Sequence, residues 1–348
     1  MSKHHSGYRI MPNEYMFCFT LDTEPDDLWR DPWPNTFDHF DLLPDFHGRL
    51  VEAGARPTYL TTSEVAESRQ GRRAMTRLLE SGNCEIGAHF HTWTRQWPFE
   101  VPDFSRPDKP RFHVMAHQLG QEIEERMLAY TCRILRDALD VAPRSHRGGR
   151  FSFNTDTVRS LVNCGIDVDS TVTPGLSWQD RSHRWLDGPD FSDSDCKPYL
   201  LTGSKGTPGE TVSNVKILEL PVGAFNRPRW TRRICKNHLP REIVKWLGRL
   251  AGLRLGHRYL DPTRTSVGDM RAVMKNLRAN NCPVWVFMIH SSQILPCARL
   301  PKMEQVQAFI QRCILGVRAA VDLGARPGTL KEAAQWVRDN NLAIVGKV

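Results

Sequence analysis

The 348-residue sequence has no CxxC pair among its nine cysteines, and that number is odd. These absences argue against a zinc ribbon and a disulfide framework, so the thiols are expected to be reduced, as in a cytosolic setting. No run of about 18 apolar residues occurs, which excludes a bilayer-spanning helix. Met1 to Tyr15 is polar, with His4 and His5, and lacks the apolar stretch of a secretory signal. A cytoplasmic protein is therefore expected. No internal repeat and no low-complexity linker interrupts the chain. What is present is ordinary for a globular protein, 40% hydrophobic and 25% charged. A chain of this length buries a large core without covalent staples.

Negative charge is scarce in one region. The formal net charge is +8, and between Arg227 and Arg258 ten Lys or Arg residues face a single acid, Glu242. A basic surface often meets phosphate, nucleic acid or an anionic membrane. No nucleic-acid-binding signature accompanies the block, so nucleic acid is not expected as a partner. Pro240 opens a segment in which Ile243, Val244, Leu247, Leu250 and Ala251 share one helical face, while Arg241, Lys245 and Arg249 form a basic stripe. Gly248 and Gly252 each weaken such a helix by roughly 1 kcal/mol, which suggests that it needs a partner. The block reads either as a surface helix packed on the body or as an interfacial helix resting on an anionic membrane.

The chemistry-bearing stretch lies near the start. Phe17 to Leu21 reads as a short buried strand, and Asp22, Glu24, Asp26 and Asp27 follow within six residues, broken by Pro25. Carboxylates at the C-terminal end of a parallel strand sit where such sheets bind ligands and metals. Strand and helix then alternate. A helix over about 41–53 ends at Gly54, a strand follows at 57–61, two helices cover 63–69 and 72–81, and Gly82 stops the second. The strand that begins at Cys84 carries His89 and His91, two residues apart and hence on one face, a plausible pair of metal ligands. Aromatic loops at 29–40 and 95–115 suit sugar rings or packing over a core. A long helix over 117–139 leads to Arg147-Gly148-Gly149-Arg150, where two arginines flank a turn and can meet carboxylates or a substrate anion. A helix over 154–164 follows. Strands at 166–172 and 215–222 each hold an internal acid, Asp169 and Glu219, both assigned to substrate binding together with Trp93. The apolar strand 283–289 ends in His290, and helices at 303–323 and 330–339 close the chain. The alternation predicts one α/β domain, barrel-like, over residues 15–340, after a polar tail (1–14) and with a basic helical insertion at about 227–260.

Five motifs in this order, each after a predicted strand, give a resemblance. Leu21-Asp22-Thr23-Glu24, Glu85 to His91, His146 to Phe151, Asp169 to Pro174 and Ile289-His290-Ser291-Ser292 resemble the polysaccharide deacetylases of the NodB-homology type (carbohydrate esterase 4-like), over roughly residues 15–337. The resemblance implies an irregular (β/α) barrel and removal of N- or O-acyl groups from amino sugars with one divalent metal, expected to be zinc. It implies Asp22 as catalytic base, Glu24 and His89 as metal ligands, Arg147 and Arg150 as orienting groups for the base, and His290 as general acid. The chain departs from the family pattern in two places. Thr23 replaces the second aspartate of an adjacent pair. The second metal histidine, usually four residues after the first, is replaced by Trp93, so His91 becomes the substitute ligand.

The residue types fit amide hydrolysis without the resemblance. A metal on two histidines and a carboxylate activates water and polarises a carbonyl. A carboxylate and a histidine move the protons, and Asp22 and His290 are the candidates. The expected function is a metal-dependent hydrolase that removes an acyl group, N-acetyl in the first instance, from a carbohydrate, a polysaccharide or a lipid-linked sugar precursor. The last would be reached by peripheral contact with the inner face of a membrane. Two alternatives are a C–N hydrolase acting on a small non-sugar amide and a non-catalytic carbohydrate-binding relative.

Overall fold

The computed structural model describes residues 14–28, 30, 34–101, 114–179, 188–202, 216–225 and 258–345. Most of the expected polar tail and all but the end of the expected basic insertion lie outside the described residues. The strands are β1 (Tyr15–Thr23), β2 (Thr58–Thr61), β3 (Glu85–Phe90), β4 (Ser145–Gly148), β5 (Val168–Asp169), β6 (Tyr199–Thr202), β7 (Lys216–Glu219), β8 (Val284–His290), β9 (Ala325–Pro327) and β10 (Ile344–Val345). The helices are α1 (Leu43–Glu52), α2 (Ser63–Glu67), α3 (Arg69–Glu80), α4 (Gln121–Leu139), α5 (Thr155–Asn163), α6 (Val267–Ala279), α7 (Met303–Asp322) and α8 (Leu330–Asp339). The expected strands and helices fall close to these bounds. The helix expected from residue 117 begins later, because Gly120 takes a positive φ of 85° and separates a short 3-10 turn, Ala116–Leu119, from α4. Beyond residue 340, β10 pairs with β6.

The strands form one sheet in the order β10-β6-β7-β5-β4-β3-β2-β1-β8, with β9 beside the start of β1. Every pairing is parallel except β6 on β7. Just past β7 a parallel bridge joins Val222 to Val286 of β8, and the Gly223 N–H donates to the Val286 carbonyl at 2.8 Å. The far flank thus returns to β8 and the sheet curls on itself as an irregular (β/α) barrel.

Period-two alternation sorts the side chains. Along β1, Phe17, Phe19 and Leu21 face the helices in the larger apolar cluster. Met16 and Cys18 face inward and join Leu60, Val168, Leu218, Val284 and Val286 in a second cluster. The last helix sends Leu330, Ala333, Ala334 and Val337 into that inner cluster, among Met16 and Val284 at the strand starts. Apolar packing therefore closes one end of the barrel. Continuing the inward set beyond Met16 and Cys18 reaches Thr20 and Asp22, so polarity appears toward the C-terminal strand ends.

Candidate active site

β1 stays buried through Thr23, and Asp22 and Glu24 are buried with it rather than forming a solvated turn. β1 pairs with β8 in the register Asp22↔His290, β2 links it to β3, and β3 pairs with β4 in the register His89↔Arg147. Three donor atoms meet above this layer. Glu24 Oε1 lies 3.1 Å from His89 Nε2 and 3.2 Å from His91 Nε2, and the two nitrogens are 3.2 Å apart. His290 Nδ1 approaches the same Glu24 oxygen at 3.3 Å. Asp22, Glu24 and His290 form a second group with ligand atoms within 4.8 Å of one another.

Whether the Glu24, His89 and His91 set suits a divalent cation is a matter of spacing and tautomer. Donors about 2.0–2.1 Å from a tetrahedral ion stand roughly 3.3–3.4 Å apart, and this triangle is close to that. His89 Nδ1 lies 2.6 Å from the Arg147 carbonyl. A carbonyl only accepts, so Nδ1 donates to it, which leaves Nε2 as the atom that would bind a cation beside Glu24 and His91. Such a backbone acceptor behind a histidine is how protein metal sites fix their ligands. The donor set fits a borderline-soft divalent ion such as zinc.

Arg147 is fully buried and its donors are spent inside the barrel. NH1 donates to Asp22 Oδ1 at 2.7 Å, Nε to the Ser170 carbonyl at 2.7 Å, and NH2 to Thr20 Oγ1 at 2.9 Å and Ser170 Oγ at 3.1 Å. Burial would raise the Asp22 carboxyl, but Arg147, His89 and His290 outweigh it and hold the group below its ordinary range. Burial likewise opposes ionisation of Glu24, yet His290 and His91 hold it well below the usual value. Burial pushes the His91 imidazole down. Burial pushes the His89 imidazole down, but the hydrogen bond and charge of Glu24, the Asp22 charge and the Arg147 carbonyl outweigh it and raise the group.

Not every expected site residue joins this cluster. Arg150 does not hold Asp22; its guanidinium sits 5.3 Å from the Trp93 ring, whose centroid is 4.4 Å from that of His91. The reason is local: the backbone turns after β4, with Arg150 at φ 57° and Phe151 at φ 59°, and only Arg147 remains on the strand. The turn presses Gly149 so close that a Cβ there would stand 2.3 Å from the Phe90 carbonyl oxygen and 2.7 Å from His91 Nδ1. Burial pushes the Arg150 guanidinium down to about 9.

Asp169 and Glu219, expected to bind substrate, lie on the opposite face of the sheet. His146 neighbours Arg147 along β4 and so points the other way, and its Nδ1 donates to Asp169 Oδ1 at 2.7 Å. Glu219 pairs with Asp169 across β5 and β7, and burial with the Asp169 charge pushes it well above the usual carboxylate range. Alternation explains the misplacement, since the inward residues of these strands are Val168 and Leu218. Thr20 and Ser170, the supports of Arg147, were not singled out in the sequence. Their signal is a polar residue in the inward phase of a strand, as Thr20 stands between Cys18 and Asp22.

No protein-family model matches the sequence, and no curated protein sequence matches it. The fold has relatives among solved structures. A Mycobacterium smegmatis protein described as a polysaccharide deacetylase superposes with a TM-score of 0.56 at 15% identity, over 98% of this chain and 96% of its own. A family 4 carbohydrate esterase from Streptomyces lividans, in complex with acetate, gives 0.43 at 11% identity, over 90% of this chain and 92% of its own. A 4-alpha-glucanotransferase from Thermococcus litoralis gives 0.46 at 13% identity, over 92% of this chain and 40% of its own. The first of these likenesses establishes that the chain has the NodB-type barrel expected from its motifs.

Proposed function

We propose that this protein is a metal-dependent hydrolase that removes an N-acetyl group from a carbohydrate. The observation that carries the reading is the buried triangle of Glu24 Oε1, His89 Nε2 and His91 Nε2 beside an Arg147-held Asp22. A divalent cation on those three donors would supply Lewis-acid polarisation of the acyl carbonyl. The remaining steps belong to the chain. Asp22, kept ionised by Arg147, takes a proton from the attacking water. The imidazole of His290, paired with Asp22 in the β1–β8 register, gives a proton to the departing amine. Glu24 keeps its charge through its histidine neighbours and so stays a ligand rather than an acid. In this reading His91 takes the place of the missing later histidine, and Trp93 walls the site beside it.

The test is metal analysis of the purified protein together with release of free acetate from N-acetylated saccharides. One equivalent of divalent metal and acetate release are expected. His89→Ala is expected to abolish metal uptake with the fold intact. His290→Ala is expected to lower turnover by about 10²-fold or more, within the range for acid–base catalysis. Sugar binding without acetate release would reject the hydrolase in favour of a binding protein.

A further inference from the structure

A second tie runs beside the Glu24–His290 contact. Asp26 Oδ2 accepts from Thr36 Oγ1 at 2.7 Å and from the Asp38 N–H at 2.6 Å, and Oδ1 accepts from the His39 N–H at 3.2 Å. Oδ1 is also bonded to His39 Nδ1, and His39 Nε2 lies 2.9 Å from Ser291 Oγ. A carboxylate taking this many donors is ionised, so Nδ1 carries the imidazole proton and Nε2 accepts the Ser291 hydroxyl. The order carboxylate, imidazole, hydroxyl is that of a nucleophilic triad. Yet His39 and Ser291 both have 0% exposure, so no substrate reaches Oγ.

What the chain of bonds has is two well-placed ends. Asp26 is two residues beyond Glu24, and Ser291 is one residue beyond His290. The β1–β8 ladder ends at the pair Asp22↔His290, so beyond it no strand pairing sets the distance between the two segments. The segment after β1 is cinched at the same point, where the Asp26 N–H donates to the Thr36 carbonyl at 2.8 Å. We propose that Asp26, His39 and Ser291 are positioning residues that fix Glu24 against His290 where the ladder stops, and thereby keep Glu24 in its triangle with His89 and His91. The inference rests on the proposed cation site.

The test uses the full chain, labelled with ¹⁵N-histidine, as wild type, Ser291→Ala, Ser291→Thr and His39→Gln. Three properties are read: Co(II) affinity and absorption, kcat and KM for acetate release, and the His290 ring resonances of the metal-free protein. Ser291→Ala and His39→Gln are expected to weaken Co(II) binding by about 10-fold or more, in the range for residues that orient metal ligands. They are also expected to lower kcat with little change in KM and to shift the His290 resonances, while Ser291→Thr restores all three. Ser291→Ala removes one oxygen and keeps the backbone, so it separates positioning from misfolding. Variants that lose thermal stability but keep wild-type affinity, kcat and His290 resonances would overturn the inference. So would covalent capture of Ser291 by a fluorophosphonate, which would mark an open nucleophile. A wild type that binds no Co(II) refutes the cation site instead, and the positioning role is then decided by the metal-free His290 resonances alone.

Discussion

Arg147 shows how one side chain decides the character of its surroundings. It is buried with Asp22, and it answers that carboxylate, a hydroxyl on β1 and two oxygens of Ser170. Removing one partner of a buried ion pair leaves the other charge unanswered, at a cost of about 3–5 kcal/mol. Arg147→Met is therefore expected to destabilise the protein by about that amount in chemical denaturation, and adding Asp22→Asn is expected to recover part of it. A loss under about 1 kcal/mol for the single variant would show that Asp22 is neutral or hydrated. Two arginines flanking Gly148-Gly149 look alike in the sequence, and nothing in their spacing says that only the first stays on the strand. The second departs because consecutive positive φ angles at Arg150 and Phe151 turn the chain toward Trp93.

At the scale of elements, long periodic helices and apolar strands were legible, and the two-residue spacing of His89 and His91 predicted their meeting. Three short strands were not: β6, β9 and β10 have two to four residues each and too little alternation to stand out. The helix α6 was passed over as well. The face of a strand acid was also illegible, because placing Asp169 and Glu219 needs the register of β4, β5 and β7. Helix α4 carries a related surprise. Glu124 is buried against Thr157 of α5, whose hydroxyl lies 2.9 Å and 3.1 Å from its two oxygens. Burial raises its carboxyl from 4.5 to about 8. Below pH 4.5 folded and unfolded chains both hold the proton; between 4.5 and about 8 the unfolded chain releases it first. The unfolded state then binds fewer protons, so stability falls as pH rises through that window, by at most about 1.4 kcal/mol per pH unit from this group. Thermal melts from pH 5 to 8 are expected to show the decline, and Glu124→Gln to flatten it. An unchanged slope in the variant would assign the decline to other groups.

For the whole molecule, no helix among the described residues is long and apolar enough to cross a membrane. The expected membrane contact rests on the basic stripe of Arg241, Lys245 and Arg249, which lies outside the described residues. On the membrane reading each basic side chain near an anionic surface contributes about 1 kcal/mol. Flotation with anionic liposomes at low salt, lost at high salt and on reversing the three residues to Glu, is the expected result. A protein that stays in the unbound fraction at low salt would reject the membrane reading. The barrel has a consequence of another kind, in the order of events during synthesis. β1 pairs along seven residues with β8, from Met16↔Val284 to Asp22↔His290. Its buried, mostly apolar length therefore leaves the ribosome some 260 residues before its main neighbour. Until then one edge of the strand is open to any other chain. Contacts of such separation form slowly, because the intervening loop must be closed before they repay it. Nascent chains ending near residue 280 are thus the species most exposed to aggregation, and a chaperone that shields β1 would serve this protein throughout that interval.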